Sequence, residues 1–199
     1  LKLFMSNLIF PPHIQEGDRV IIVSPSSKID KSFLKGAKKR LKSWGLEVVM
    51  AKHAGSAHGT YAGSIRQRLE DLQDAMDDEK AKVIFCSRGG YGAVHLVDKL
   101  DFSKFSEHPK WLIGFSDITA LHSVFQQNGF ASLHALMARH LTVEPEDDFC
   151  TLALKDILFG HLSPETAETV ETSEDKFSYV CPAHKLNHKG KGRGILRGG

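Results

Sequence analysis

Along this chain, short runs of consecutive apolar residues alternate with longer stretches in which apolar residues recur every three or four positions. Arg19-Val20-Ile21-Ile22-Val23-Ser24 is rich in β-branched residues. Glu16-Gly17-Asp18 introduces it and Pro25-Ser26-Ser27 closes it, the pattern of a buried strand running into a loop. Over residues 31–44, Phe33, Leu34, Ala37, Leu41 and Trp44 fall at helical spacing, and Gly45 supplies the stop. Leu46-Glu47-Val48-Val49-Met50 reads as a second strand and residues 54–63 as a glycine-bearing loop. Ser64 then caps a helix to about residue 77, with Ile65, Leu69, Leu72 and Met76 on one face. Val83-Ile84-Phe85-Cys86 is a third strand, followed by a turn over residues 87–92 and an amphipathic helix through about residue 100. Trp111-Leu112-Ile113-Gly114-Phe115 is a fourth strand, residues 117–127 a further helix, and Phe130-Ala131-Ser132-Leu133 a fifth strand.

Strands alternating with helices at this spacing predict an α/β layered domain, with a mainly parallel sheet flanked by helices in the flavodoxin or amidotransferase manner. Beyond residue 145 the pattern weakens to one helix over residues 149–159 and a strand near residues 177–181. The expected organisation is an N-terminal arm over residues 1–15, an α/β domain over 16–164, and a linker with the start of an incomplete C-terminal domain over 165–199.

Charge and composition narrow the classes of partner. The 26 basic and 24 acidic residues leave a net charge of +2, without the lopsided balance of a nucleic-acid or acidic-membrane binder. No apolar run approaches the roughly 18–20 residues needed to span a bilayer, and the N-terminus lacks the apolar core of a secretion signal. Cys86, Cys150 and Cys181 are widely spaced and form no CxxC pair, which fits reduced thiols in a cytoplasmic protein and neither a disulfide framework nor a metal site. The basic tail, with Lys185, Lys189, Lys191, Arg193 and Arg197, holds no aromatic residue to stack on bases and reads as a solvated linker.

Ligands of open parallel sheets bind outside the carboxyl ends of the strands, and two loops there stand out. In Gly114-Phe115-Ser116-Asp117, a serine sits between a strand and a helix, as in a nucleophile elbow that exposes Oγ and aims backbone N–H groups at a reacting carbonyl. Ile118 stands where an α/β-hydrolase elbow has glycine, and Ser and Asp are also ordinary helix caps, so the tetrapeptide alone leaves both readings open. In Arg88-Gly89-Gly90-Tyr91-Gly92, the glycine pair offers unobstructed N–H groups for an oxyanion hole, a phosphate cradle or simply a tight turn. Residues 87–92 do not match GxGxxG and no GxxxxGK[ST] occurs, so no nucleotide or other cofactor is expected.

Several motifs in order carry a resemblance over the chain from about residue 16. Glu16-Gly17-Asp18 and Val23-Ser24-Pro25-Ser26 open it; Ser87-Arg88-Gly89-Gly90-Tyr91-Gly92 and Lys99-Leu100-Asp101-Phe102 follow. Pro109-Lys110-Trp111-Leu112-Ile113-Gly114-Phe115-Ser116-Asp117-Ile118-Thr119-Ala120-Leu121-His122 completes the set. Together they resemble the central signature of the LD-carboxypeptidases, the serine peptidases that include muramoyltetrapeptide carboxypeptidase. The resemblance implies Ser116 as nucleophile and an oxyanion hole from the N–H groups of Gly90 and Asp117. It implies no metal, and a Ser-Glu-His triad whose glutamate and histidine come from a C-terminal domain. It further implies release of the terminal D-alanine from muropeptide tetrapeptides during cytoplasmic murein recycling, by proteins that are often homodimers. One branch of the family instead hydrolyses a peptidyl-nucleotide antibiotic and confers immunity. Gly190-Lys191-Gly192-Arg193-Gly194 resembles the entry to the C-terminal domain, so the 199-residue chain is expected to lack the base and its orienting acid. Loss of such partners costs on the order of 10⁴–10⁶ in rate, and the chain by itself is expected to be nearly inactive.

Two histidines are candidates to replace that base. His122 lies six residues past Ser116 on the following helix, about 9 Å of rise, and His134, at a strand end, is better placed to line the pocket with Gly89 and Tyr91. His134-Ala135-Leu136-Met137 stands where many family members have His-Gly-Pro, a departure that bears on the local loop. Asp117 is expected to cap its helix and hold the elbow. The rival from another class is a non-catalytic α/β module that binds a small anion or peptide at the sheet edge.

Overall fold

The computed structural model describes residues 8–161. Five strands form one parallel sheet in the order β2-β1-β3-β4-β5: β1 Arg19–Val23, β2 Glu47–Met50, β3 Ala81–Cys86, β4 Trp111–Gly114 and β5 Leu133–His134. This is the doubly wound order of flavodoxin-like folds, in which the chain moves first to one side of β1 and then to the other. Helices α1 Lys31–Ser43, α2 Ile65–Asp77, α3 Ser103–Glu107, α4 Thr119–Gln127, α5 Ala138–Val143 and α6 Phe149–Phe159 cover the sheet.

Strand alternation divides the core into two layers. Val20, Ile22, Val83, Phe85, Trp111 and Ile113 pack beneath α1, α5 and α6, against Leu34, Leu41, Leu141, Leu154 and Leu158. Ile21, Val23, Ile84, Cys86 and Leu112 face the other way, against Leu72 and Met76 of α2, Phe105 of α3, and Leu121 and Phe125 of α4. A sheet buried on both faces is why its strands read as continuous apolar runs in the sequence. The expected caps are present. The Asp30 side chain accepts from Ser32 N at the start of α1, Gly45 ends it at φ 82°, and Ser64 with Gln67 forms a capping box on α2.

Three expectations are corrected, and one helix is added. The helix over residues 93–100 is a single 3₁₀ turn, Ala93–His95, followed by turns. Its apolar residues Ala93, Leu96, Val97 and Leu100 do pack into the core, but Gln73 clamps the backbone of Asp101 from both sides (3.0 Å from its N, 2.9 Å to its O) and turns the chain there. The fifth strand lies at residues 133–134 instead of 130–133, because Ala131 N and Gly129 O are taken by Ile9 of the N-terminal arm. Helix α5 escaped the periodicity argument because six residues are too few to show a period. On α2 the buried stripe is Arg68, Asp71, Leu72, Ala75 and Met76, while Ile65 is exposed. The strand expected near residues 177–181, Cys181, the basic tail and the segment from residue 165 lie outside the described residues.

Candidate active site

β1, β3 and β4 run in parallel, so the loops that leave their carboxyl ends, residues 24–27, 87–92 and 115–118, meet along one rim at the switch point of the sheet. Ser116 stands at φ 64°, alone among the described non-glycine residues in having a positive value. The left-handed region costs an L-residue about 1–2 kcal/mol, so the surroundings must impose it. They do so from both sides. Ahead of Ser116, the Gly114 carbonyl accepts from Ala135 N at 3.1 Å and from His122 Nε2 at 2.9 Å. Behind it, Asp117 Oδ2 accepts from Ser26 Oγ at 2.6 Å and from Ala93 N at 2.9 Å, which ties the elbow to both neighbouring loops. The expectation that Asp117 caps its own helix gives way to this bridging role.

The glycine pair is shaped to the serine. A Cβ on Gly89 would lie 3.0 Å from Ser116 Cβ and 3.2 Å from its Oγ, so a side chain there would press on the serine. Gly90 takes φ 108°, a conformation that favours glycine, and packs against Ser27. The Gly89 carbonyl accepts from Ser27 N at 3.2 Å, which turns the Gly90 N–H of the same trans peptide to the opposite side. Neither the Gly90 N–H nor the Asp117 N–H donates to an acceptor among the described residues.

Arg68 completes the rim, and the sequence reading missed it. Its Nη1 donates to Pro25 O at 2.7 Å and to Gly92 O at 2.8 Å, so one guanidinium joins two of the three loops. The residue is 2 % exposed, the guanidinium carbon lies 5.0 Å from the Tyr61 ring centroid, and burial lowers its pKa. The only signal was an arginine one helical turn before Leu72, on the face that the stripe assigned to the core.

Ser116, Gly89, Gly90 and Phe115 line a cavity of about 450 Å³, together with Asp30, Phe33, Arg88, Met137, Arg139 and His140. The neighbouring cleft, about 430 Å³, shares Phe115 and His140 with it and contains His134 and the apolar residues of α6. His134 thus lies one cleft away from Ser116. Tyr91 is 57 % exposed and packs edge-on against His95, with ring centroids 5.4 Å apart, outside the cavity lining. His122 is held between Gly114 O and Ser132 Oγ, a structural position in which burial lowers its pKa. No cluster of three or more His, Cys, Asp or Glu capable of holding a metal occurs among the described residues, and no described helix is long and apolar enough to cross a membrane.

Residues 20–135 match the family model described as the LD-carboxypeptidase N-terminal domain. The murein tetrapeptide carboxypeptidase of Pseudomonas aeruginosa is 34% identical over 128 residues, which cover 64% of this chain and 42% of that protein. A crystal structure of an MccF-like protein from Bacillus anthracis aligns with a TM-score of 0.70 at 28% identity, covering 75% of this chain and 47% of the other. The microcin C7 self-immunity protein MccF, solved with aspartyl sulfamoyl adenosine, aligns equally well (TM-score 0.70) at 21% identity over 75% of this chain and 47% of its own, a likeness of fold. The aligned part of this chain thus spans less than half the length of each of these relatives. With a family model over residues 20–135, a carboxypeptidase relative at one third identity and a matching parallel sheet, this chain belongs to the LD-carboxypeptidase family, of which it carries the N-terminal domain.

Proposed function

We propose that this chain supplies the nucleophile half of a serine-type LD-carboxypeptidase that removes the terminal D-alanine from muropeptide tetrapeptides in the cytoplasm. The observation that carries the reading is Ser116 at φ 64°, its hydroxyl against the bare backbone of Gly89 at the edge of the cavity. In this reading Ser116 Oγ attacks the scissile carbonyl. The N–H groups of Gly90 and Asp117, which have no acceptor among the described residues, take the oxyanion. Gly89 keeps the approach open, while His134 and Tyr91 belong to the outer walls where the rest of the peptide runs. A serine hydroxyl is a weak nucleophile at neutral pH. No described histidine bonds to Ser116, and the family resemblance assigns the base and its orienting glutamate to a C-terminal domain.

The test is release of D-alanine from L-Ala–D-Glu–meso-diaminopimelate–D-Ala by the native protein. Release is expected, with Ser116→Ala lowering the rate by at least about 10⁴-fold. A Ser116→Ala protein as active as wild type overturns the assignment. The likeness to the MccF-like protein favours a second reading, cleavage of a peptidyl-nucleotide antibiotic. Turnover of a peptidyl adenylate analogue without turnover of the tetrapeptide would select it.

A further inference from the structure

A carboxypeptidase differs from an endopeptidase in demanding a free carboxylate beside the scissile bond, and a guanidinium is well suited to hold it through two parallel hydrogen bonds. We propose that Arg139 is that group: a specificity-determining residue that binds the terminal carboxylate of the substrate across the cavity from Ser116. The inference rests on the carboxypeptidase reading and deepens it.

Three observations carry it. First, the cavity holds two guanidinium groups, Arg88 and Arg139, against the single carboxylate of Asp30, so its charge favours an anion. Second, the other charged groups are engaged. Arg88 Nη1 donates to Lys28 O at 2.9 Å, and Asp30 accepts from Ser32 N at 2.7 Å as the cap of α1. Arg139, by contrast, is exposed on the cavity wall and takes part in none of the hydrogen bonds or ion pairs between described residues. Third, its backbone is anchored although its side chain has no partner among the described residues. The adjoining Ala138 N donates to Ser87 O at 3.2 Å, in the loop that leads to Gly89. One turn on, Thr142 Oγ1 donates to Phe33 O at 3.0 Å and fastens α5 to α1. An arginine with a fixed origin on the wall of the cavity that contains the serine suits bidentate capture of a carboxylate.

Peptide binding tests this in the full chain carrying Ser116→Ala, which removes turnover. The tetrapeptide above is titrated as its free acid, as its terminal amide, and amidated instead at the α-carboxyl of D-Glu. Expected are a preference of about 10–100-fold for the free acid over the terminal amide, loss of that preference in Ser116→Ala/Arg139→Met with affinity for the terminal amide unchanged, and partial recovery in Ser116→Ala/Arg139→Lys. A preference that survives Arg139→Met overturns the inference alone. So does a dependence on Arg139 that follows the D-Glu carboxyl and not the terminus. Failure of every form to bind, together with no D-alanine release by the native protein, overturns the carboxypeptidase reading itself and the inference with it.

Discussion

The two ends of the sheet are each fastened by an arginine and an aspartate, and they follow opposite rules. At the amino end, Arg19 donates to Asp78 at 3.0 Å and to Glu47 at 2.9 Å, and all three side chains reach water. At the carboxyl end, Arg68 is sealed from solvent and donates to two neutral carbonyls, while the half-buried Asp117 accepts from a hydroxyl and a backbone N–H. Solvated ion pairs contribute little, because water competes for both partners. Buried hydrogen bonds to charged groups are costly to break, because the abandoned partner finds no water. The rim that holds Ser116 is therefore secured by directed hydrogen bonds, those of Arg68 buried, and the opposite end by charges that solvent can replace.

The largest expected effect comes from Arg68. Replacement by Met strands the carbonyls of Pro25 and Gly92 and should cost about 2–5 kcal/mol in urea unfolding. On the proposed carboxypeptidase reading it should also slow D-alanine release beyond what lost stability explains. A midpoint shift no greater than that of a surface substitution would break the comparison.

Lys110 sharpens it, because it lies at the amino end but is fully buried, with Nζ donating to Met76 O at 2.6 Å and the Phe105 ring 5.0 Å away. Burial lowers its pKa from 10.5 to about 8. Between those values the unfolded chain holds a proton that the folded one has lost, so stability should rise as pH increases from about 8 to 10.5. Chemical denaturation across that range should show the rise in wild type and a flatter profile in Lys110→Met. Equal slopes would mean that the ammonium is solvated.

Smallest is Glu47→Gln, which removes one partner of Arg19 and leaves Asp78. Its unfolding midpoint should match wild type at physiological salt, and a clear loss would show that the amino end also depends on its charges.

The same contrast explains what could be read from the sequence. β1, β3 and β4 were legible because two-sided burial imposes unbroken apolar runs such as Val20-Ile21-Ile22-Val23. Ser116 and the glycine pair were legible as motifs at strand ends, and the family resemblance supplied roles for them. Arg68 was not, because its partners at Pro25 and Gly92 lie 43 and 24 residues away and no local pattern encodes such a bond. The turn at residues 93–100 was misread for a related reason. Its apolar spacing is helical, yet the bonds from Gln73 to Asp101 decide the backbone. Arg139 and His140 entered the cavity through α5, too short a helix to announce itself.

The φ of 64° at Ser116 sets chemistry and endurance against each other at a single dihedral. Glycine occupies that region without penalty, so Ser116→Gly should unfold at higher urea than wild type, by about 0.5–1 kcal/mol, while losing the hydroxyl to which the proposed function assigns turnover. A library of variants screened for heat resistance alone will drift toward glycine here and accumulate well-folded, silent proteins. Only selection on the reaction itself retains the serine.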